Sequence, residues 1–326
     1  MRVVSLLPSA TELLAALGAS DMLVGRSHEC DHPPGVGTLP ALTSADDRFV
    51  SSAATDERVR AALAAGDSLY RLDERRLREL EPDLIVTQDL CAVCSIDPDT
   101  VRETARRLDP PPPVVALNPT TFEDVLEDAL TLGTAIGREA GAQQLVLDLR
   151  TRLFRAMDLI PPFAARPSVL FLEWTDPMFV AGHWTVQLIE RAGADHPLNP
   201  TTPMDAAGAG AGAGQSHRAA GHSFTVTPEQ VTESAPDAVI ICPCGLTLDQ
   251  AVAEANHLLE VDWFRDLPAV RGGRVVAVDG NQHFNRPGPR LVEAFEWLVG
   301  WLNGIDAVLP RAFPARALAP RPGSQA

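Results

Sequence analysis

The sequence predicts an α/β fold of two Rossmann-like lobes with parallel sheets, joined by one long interlobe helix. Three observations predict it. Short apolar runs ending in polar loops alternate with helical spacings along most of the chain, which is the pattern of strand–helix units around a parallel sheet. Two of those runs share one layout. Pro82-Asp83 leads into Leu84-Ile85-Val86-Thr87 and then to Cys91 and Cys94, while Pro236-Asp237 leads into Ala238-Val239-Ile240-Ile241 and then to Cys242 and Cys244, so one lobe echoes the other. Between them a helical spacing runs from Phe122 through Val125, Leu132 and Leu149 to about Met157. The resulting boundaries are an N-terminal lobe over 1–120, a connecting helix over 121–158, a C-terminal lobe over 159–309 and a disordered tail over 310–326.

The first strand is Val3 to Leu7. It runs into Pro8-Ser9-Ala10-Thr11-Glu12, where Ser9 and Glu12 have the spacing of a capping box for a helix closing at Gly18. A helix start at a strand end presents free N–H groups suited to an anionic or carbonyl ligand, which makes Ser9 a candidate contact. A second strand, Met22 to Gly25, ends in a loop that packs His28, Glu29, Cys30, Asp31 and His32 into consecutive positions. A charged helix is expected over Arg71 to Glu81, then the Pro-Asp strand with Gln88 at its end, and a fourth strand over Val114 to Leu117. Thr121 and Asp124 cap the connecting helix, in which Gly133, Gly137 and Gly141 are weak points. A helix of that length acts as a stiff strut that permits only small lobe movements.

The second lobe opens with Val169 to Leu172, ending in Glu173-Trp174, and continues through Gly182-His183-Trp184 into a helix over Val186 to Arg191. Gly-Ala alternation inside 205–222, with His217 and His222, reads as a flexible loop. Thr227 and Gln230 cap the next helix. After Cys244, the strand Val275 to Val278 leads to His283, Arg286 and Arg290, and a terminal helix over Leu291 to Leu302 turns Leu291, Phe295 and Leu298 inward.

The chain has 326 residues with 43 acidic against 27 basic and a formal charge of −16, a balance that repels duplex nucleic acid and anionic membrane surfaces. No stretch reaches the roughly 18 apolar residues of a membrane span. The first residues read as a strand with no secretory region before them, and five cysteines form no secreted disulfide framework. A cytoplasmic location with reduced thiols is expected, or a periplasmic or exported one if the true start lies upstream.

Ligands of open α/β sheets collect at strand carboxyl ends and at domain interfaces. The candidate ligand contacts are therefore Ser9, His28, Glu29, Gln88, Glu173, Trp174, His183, Trp184, His283 and Arg286, expected on one edge of two facing sheets. Trp174 and Trp184 suit flat contact with a large conjugated or corrin-like ring, and equally suit a core. His28 and His183 could each serve as an axial ligand of a metal complex or bond to backbone. The candidate metal ligands are Cys91, Cys94, Cys244 and Cys30. A zinc site could also draw on Cys242, His28 or His283, and the same thiols could instead be packing residues. A second reading uses Cys91, Cys94, Cys244 and His28 to hold zinc or iron in a metalloenzyme or metal-handling protein, with Glu29 or Glu173 moving a proton. No Ser-His-Asp ordering or phosphate-cradling glycine loop supports hydrolase or nucleotide chemistry.

The opening Arg2-Val3-Val4-Ser5-Leu6-Leu7-Pro8-Ser9-Ala10-Thr11-Glu12, the Pro-Asp-Leu-Ile-Val strand and the interlobe helix resemble helical-backbone (class III) periplasmic binding proteins over about residues 1 to 305, most nearly the cobalamin-binding type. The Ser-His-Glu-Cys-Asp, Gln-Asp-Leu-Cys-Ala-Val-Cys, Pro-Cys-Gly and Arg-Pro-Gly-Pro-Arg stretches are similar to a cysteine-containing subgroup of that branch. The resemblance implies a ligand clamped between two lobes, and a non-catalytic binding protein is the first reading. It also implies a corrinoid, haem or ferric siderophore as the small-molecule cargo and an ABC permease as partner, reached through exposed acidic residues. The sequence departs from the pattern in lacking a signal peptide and in carrying thiols at the expected cleft.

Overall fold

The computed structural model describes residues 1–45, 49–88, 96–204 and 218–318. Two compact units result. The first comprises Met1–Val50, Ala54–Pro119 and Glu123–Leu149, and the second Ser51–Ala53, Thr120–Phe122 and Arg150–Ala326.

In the first unit β1 (Val3–Ser5) is followed by α1 (Pro8–Ala16) and β2 (Leu23–Arg26). Next come β3 (Thr43–Ala45), α2 (Ser52–Ala65), β4 (Tyr70–Leu72), α3 (Glu74–Glu79), β5 (Leu84–Gln88), α4 (Pro98–Arg106) and β6 (Val114–Leu117). Four strands form a parallel sheet in the order β2-β1-β5-β6. Every residue of β5 is buried, as expected for a strand covered on both faces. Val4, Leu6, Leu77, Ile85, Val101 and Ala105 form the core on one side.

Several expectations change here. The Ser9/Glu12 capping box does not form, because Pro8 already occupies the first helical turn, Leu7 is the N-cap and Ser9 lies buried inside α1. The charged helix expected over 71–81 is shorter. The Asp73 carboxylate accepts from Arg76 N–H at 2.9 Å and starts α3 at Glu74, which releases Tyr70–Leu72 to pair with β3.

The connecting stretch is two helices, α5 (Phe122–Ala135) and α6 (Glu139–Met157), not one. The break falls at Gly137, whose φ of +69° suits glycine and ends a helix. The chain passes from the first unit to the second within α6, after Leu149.

The second unit builds a six-stranded mixed sheet. β7 (Val169–Thr175) runs through a tight turn at Asp176-Pro177 into β8 (Met178–Val180), which pairs back antiparallel on it. The strand expected to stop at Leu172 therefore extends as a hairpin. α7 spans His183–Arg191, starting earlier than expected, and β9 (Thr202–Pro203) pairs with β10 (Arg218–Ala219), while 205–217 lie outside the described residues. There follow β11 (Phe224–Thr225), α8 (Pro228–Ser234), β12 (Ala238–Ile241), α9 (Leu248–Leu259), α10 (Asp262–Arg265), α11 (Pro268–Arg271), β13 (Val275–Val278), α12 (Leu291–Asn303) and β14 (Ala315–Leu318). The Thr227/Gln230 capping box forms as expected, and Leu291, Phe295 and Leu298 are fully buried.

The tail is not disordered throughout. Residues 315–318 form β14, paired antiparallel with β13 in the register Val275↔Leu318, and Phe313 stacks on Trp297 at 4.8 Å. Leu318 joins the core formed by Leu172, Ile241, Ala255 and Ala277. Residues 319–326 lie outside the described residues. Among the described residues no helix is long and apolar enough to cross a membrane.

The repeated Pro-Asp has a structural origin. Asp83 accepts from Arg2 N–H at 2.6 Å and its own N–H donates to the Arg2 carbonyl at 2.8 Å. Asp237 does the same with Ser168, at 2.9 and 2.8 Å. Each aspartate clamps the residue that precedes the first strand of its unit, at the amino edge of the sheet.

Candidate functional site

In the first unit the strands deliver polar residues to the carboxyl edge. Gln88 is the buried last residue of β5, and Ser9 is buried at the start of α1. The loop after β2 is held by hydroxyls. Thr43 Oγ1 donates to Ser27 Oγ at 3.0 Å and receives His28 N–H at 3.1 Å, with His28 Nδ1 2.7 Å away. Tyr70 donates its hydroxyl to Glu29 Oε1 at 3.2 Å and lies ring to ring with His28 at 5.7 Å. Cys30 is buried beneath α1, with Thr11 Oγ1 3.1 Å from its sulfur. Cys91 and Cys94 lie outside the described residues.

The edge of the second unit is more tightly constrained. Cys242 N–H pairs with Leu172 O at 2.9 Å and Cys244 N–H with Glu173 O at 3.0 Å, so the cysteine segment continues the pairing of β12 with β7. Asn285 Nδ2 bridges the carbonyls of Cys242 and Gly280 at 3.2 and 2.9 Å. A Cβ on Gly280 would lie 1.7 Å from the Pro243 carbonyl oxygen, so only glycine fits. Burial, and next the Glu173 carboxylate, push the Cys242 thiol well above its ordinary range and keep it protonated. Cys244 is exposed.

Arg286 is buried and reaches Asn281 Oδ1 at 3.1 Å, and Arg290 reaches Gln282 Oε1 at 2.9 Å, so both guanidinium groups hold the loop after β13. His283 turns inward. Its ring lies 4.7 Å from Phe313, its Nε2 is 3.4 Å from Glu293, and that contact first of all holds the Glu293 carboxyl below its usual range.

The two candidate tryptophans part company. Trp174, half-buried near the end of β7 beside half-buried Glu173, donates its indole N–H to Ser52 O at 3.2 Å. Trp184 is buried and donates to Phe284 O at 2.8 Å, which ties the start of α7 to the loop after β13. His183 stacks on Trp184 at 5.6 Å and meets exposed His222 edge-on at 4.7 Å. Its backbone is left-handed at φ +50°, and its ring nitrogens have no hydrogen-bond partner among the described residues. Burial first, then His222, lowers its proton affinity and keeps it neutral at pH 7. A neutral imidazole keeps one lone pair, which can accept a hydrogen bond or bond a metal ion.

Among the described residues no three His, Cys, Asp or Glu side chains are arranged to hold a metal ion by themselves. Sequence reasoning did not single out Tyr70, the chain's one tyrosine, because its strand is only three residues long. It also left His222 in a loop, although the dipeptide Gly182-His183 recurs as Gly221-His222.

Two α/β units, each with parallel strands whose carboxyl edge carries the polar loops, define a binding scaffold. Residues 3–281 match the model of the periplasmic binding protein family, and the chain belongs to that family. It is 26% identical over 303 residues to a cobalamin-binding protein of Halobacterium salinarum, covering 90% of this chain and 66% of that protein, and equally so to its counterpart in a second strain. The chain thus spans 66% of the length of these curated relatives. Among solved structures it is similar to a possible iron-binding (periplasmic solute-binding) protein from Staphylococcus epidermidis, with 19% identity, TM-score 0.67 and coverage of 92% and 97% of the two chains. It is also similar to the vitamin B12 binding protein BtuF of Vibrio cholerae, with 19% identity, TM-score 0.59 and coverage of 94% and 98%. The heme-binding protein RhuT from Roseiflexus gives 22%, 0.64, and 94% and 98%. These likenesses confirm the expected fold.

Proposed function

We propose that this chain is a binding protein for a corrinoid or a closely related metal chelate. Delivery to an ABC permease belongs to the same reading. His183 carries it. A neutral imidazole, backed by the stacked indole of Trp184 and set at a strand-edge loop, offers a lone pair to a metal with an open axial position. His222 adds a second imidazole, and the exposed thiol of Cys244 a softer donor, to the same unit. The name borne by the Halobacterium relative supports a corrinoid over other chelates.

The test uses two forms of one ligand. Aquocobalamin has an exchangeable axial water and cyanocobalamin does not, so the protein should retain both through gel filtration, with a spectral shift for aquocobalamin only. Retention of neither overturns the reading. Retention without any shift would leave corrinoid binding standing and remove His183 as ligand.

A further inference from the structure

The second unit contains a concavity of about 540 Å³ beside the β7–β8 turn, within the range of roughly 300–1,000 Å³ typical of small-molecule sites. His183, His222 and Cys244 do not line it. Its polar centre is Glu254 on α9, only 6% exposed. The Ser52 hydroxyl donates to Glu254 Oε2, Thr175 Oγ1 lies 2.9 Å from the same oxygen, and Ser52 N–H is 3.4 Å away. All three donors are neutral and all converge on Oε2. The other oxygen, Oε1, has one neighbour of possible positive charge, His257 Nδ1 at 4.0 Å, on a side chain 70% exposed.

A nearly buried carboxylate is ordinarily matched by a full positive charge, because its desolvation is otherwise uncompensated. Among the described residues only the exposed His257, and only when protonated, brings a positive charge within 4.0 Å. Among the described residues that line the concavity there is no arginine, and the chain contains no lysine at all. Asp176 adds a second, exposed carboxylate at the mouth. The walls are apolar, with Met178, Leu258 and Trp263 among them.

We infer that this concavity binds a small organic ammonium ion. The ammonium donates to Glu254 Oε1 in a charge-assisted hydrogen bond, and the apolar body lies against Met178, Leu258 and Trp263, where an indole face also favours a cation. The neutral donors on Oε2 hold the carboxylate in place for that contact. The site does not depend on the corrinoid reading.

The test titrates the full chain at neutral pH with benzylammonium and with its uncharged counterpart benzyl alcohol, by calorimetry. Benzylammonium should bind at least about tenfold more tightly, a difference of about 1.4 kcal/mol, and Glu254→Gln should erase the difference. Val261→Arg, at a lining position 40% exposed, places a guanidinium at the lip without disturbing the core and should weaken benzylammonium binding at least about tenfold. Equal affinity for the two probes, no binding of benzylammonium to the folded protein, or binding undiminished in both variants overturns the inference. Should Glu254→Gln fail to fold, Val261→Arg alone decides.

Discussion

The two units begin their matched strands alike and finish them differently. At the amino edge Asp83 and Asp237 make the same pair of bonds, to Arg2 and to Ser168. At the carboxyl edge the first unit relies on a web of hydroxyls around Ser27, Thr43 and His28, whereas the second relies on backbone pairing of Cys242 and Cys244 and on the approach of Gly280 to Pro243. The repeat visible in the sequence is thus scaffold, and ligand chemistry is sought where the units diverge. Their protonation behaviour diverges as well. Asp128 in the first unit is half-buried, with Oδ2 lacking a hydrogen-bond partner among the described residues, and burial, followed by repulsion from Asp124 and Glu127, raises it to about 7. His196 in the second unit is buried and lowered to about 4, and neighbouring backbone groups, that of Phe171 first, offset only part of its burial.

The sharpest way to break the contrast is Gly280→Ala. The Cβ meets backbone that cannot move aside, so a loss upwards of about 4 kcal/mol is expected in denaturant unfolding. Thr43→Val, which removes a hydroxyl from the first unit's web, should lose about 1–3 kcal/mol. Comparable losses would mean that the two edges are built alike.

Next in size is acid sensitivity. The folded state binds the His196 proton less readily than the unfolded chain. Its contribution is therefore complete above about 6.5 and is lost as pH falls toward 4, by roughly 3 kcal/mol at about 1.36 kcal/mol per unit. His196→Leu should flatten the stability profile in that window, and an unchanged slope would show that another group controls it.

Asp128 has the opposite sign. The folded state holds its proton more tightly, so stability is complete below about 4 and declines as pH rises to about 7. Discounted for partial exposure, the loss is about 2 kcal/mol. Asp128→Asn should raise the melting temperature at pH 8 and leave it nearly unchanged at pH 4. The smallest effect tests the likeness of the units: Asp83→Ala and Asp237→Ala, both at exposed carboxylates, should each lose about 1 kcal/mol, and to a similar degree.

The doubly buried strands β5, β12 and β13 were legible because three or four consecutive apolar residues bounded by turns leave few alternatives. The Thr227 cap was equally plain. What stayed hidden depends on partners far along the chain. β14 forms only because β13 offers an open edge, and its Pro- and Arg-rich surroundings read as coil. The hairpin arm of β7 and β8 is built on a turn at Asp176-Pro177 that, by residue type alone, ends a strand. Pro8 displaced the cap expected at Ser9 by starting the helix two residues early. Of the candidate contacts, His183 and Cys244 were recognisable from their places after strands. Whether a histidine stays half-buried as His183 does, or is fully buried as His283 is, depends on packing against Trp184 and Phe313, which no local pattern reveals.

The most direct test is the absorbance of the folded protein after incubation with aquocobalamin and gel filtration, compared with His183→Ala. The expected result is corrinoid co-eluting in stoichiometric amount with a shifted spectrum, and at least about tenfold weaker retention without the shift in the variant. Folded protein emerging colourless, or a variant that retains the ligand with the same shifted spectrum, would contradict it.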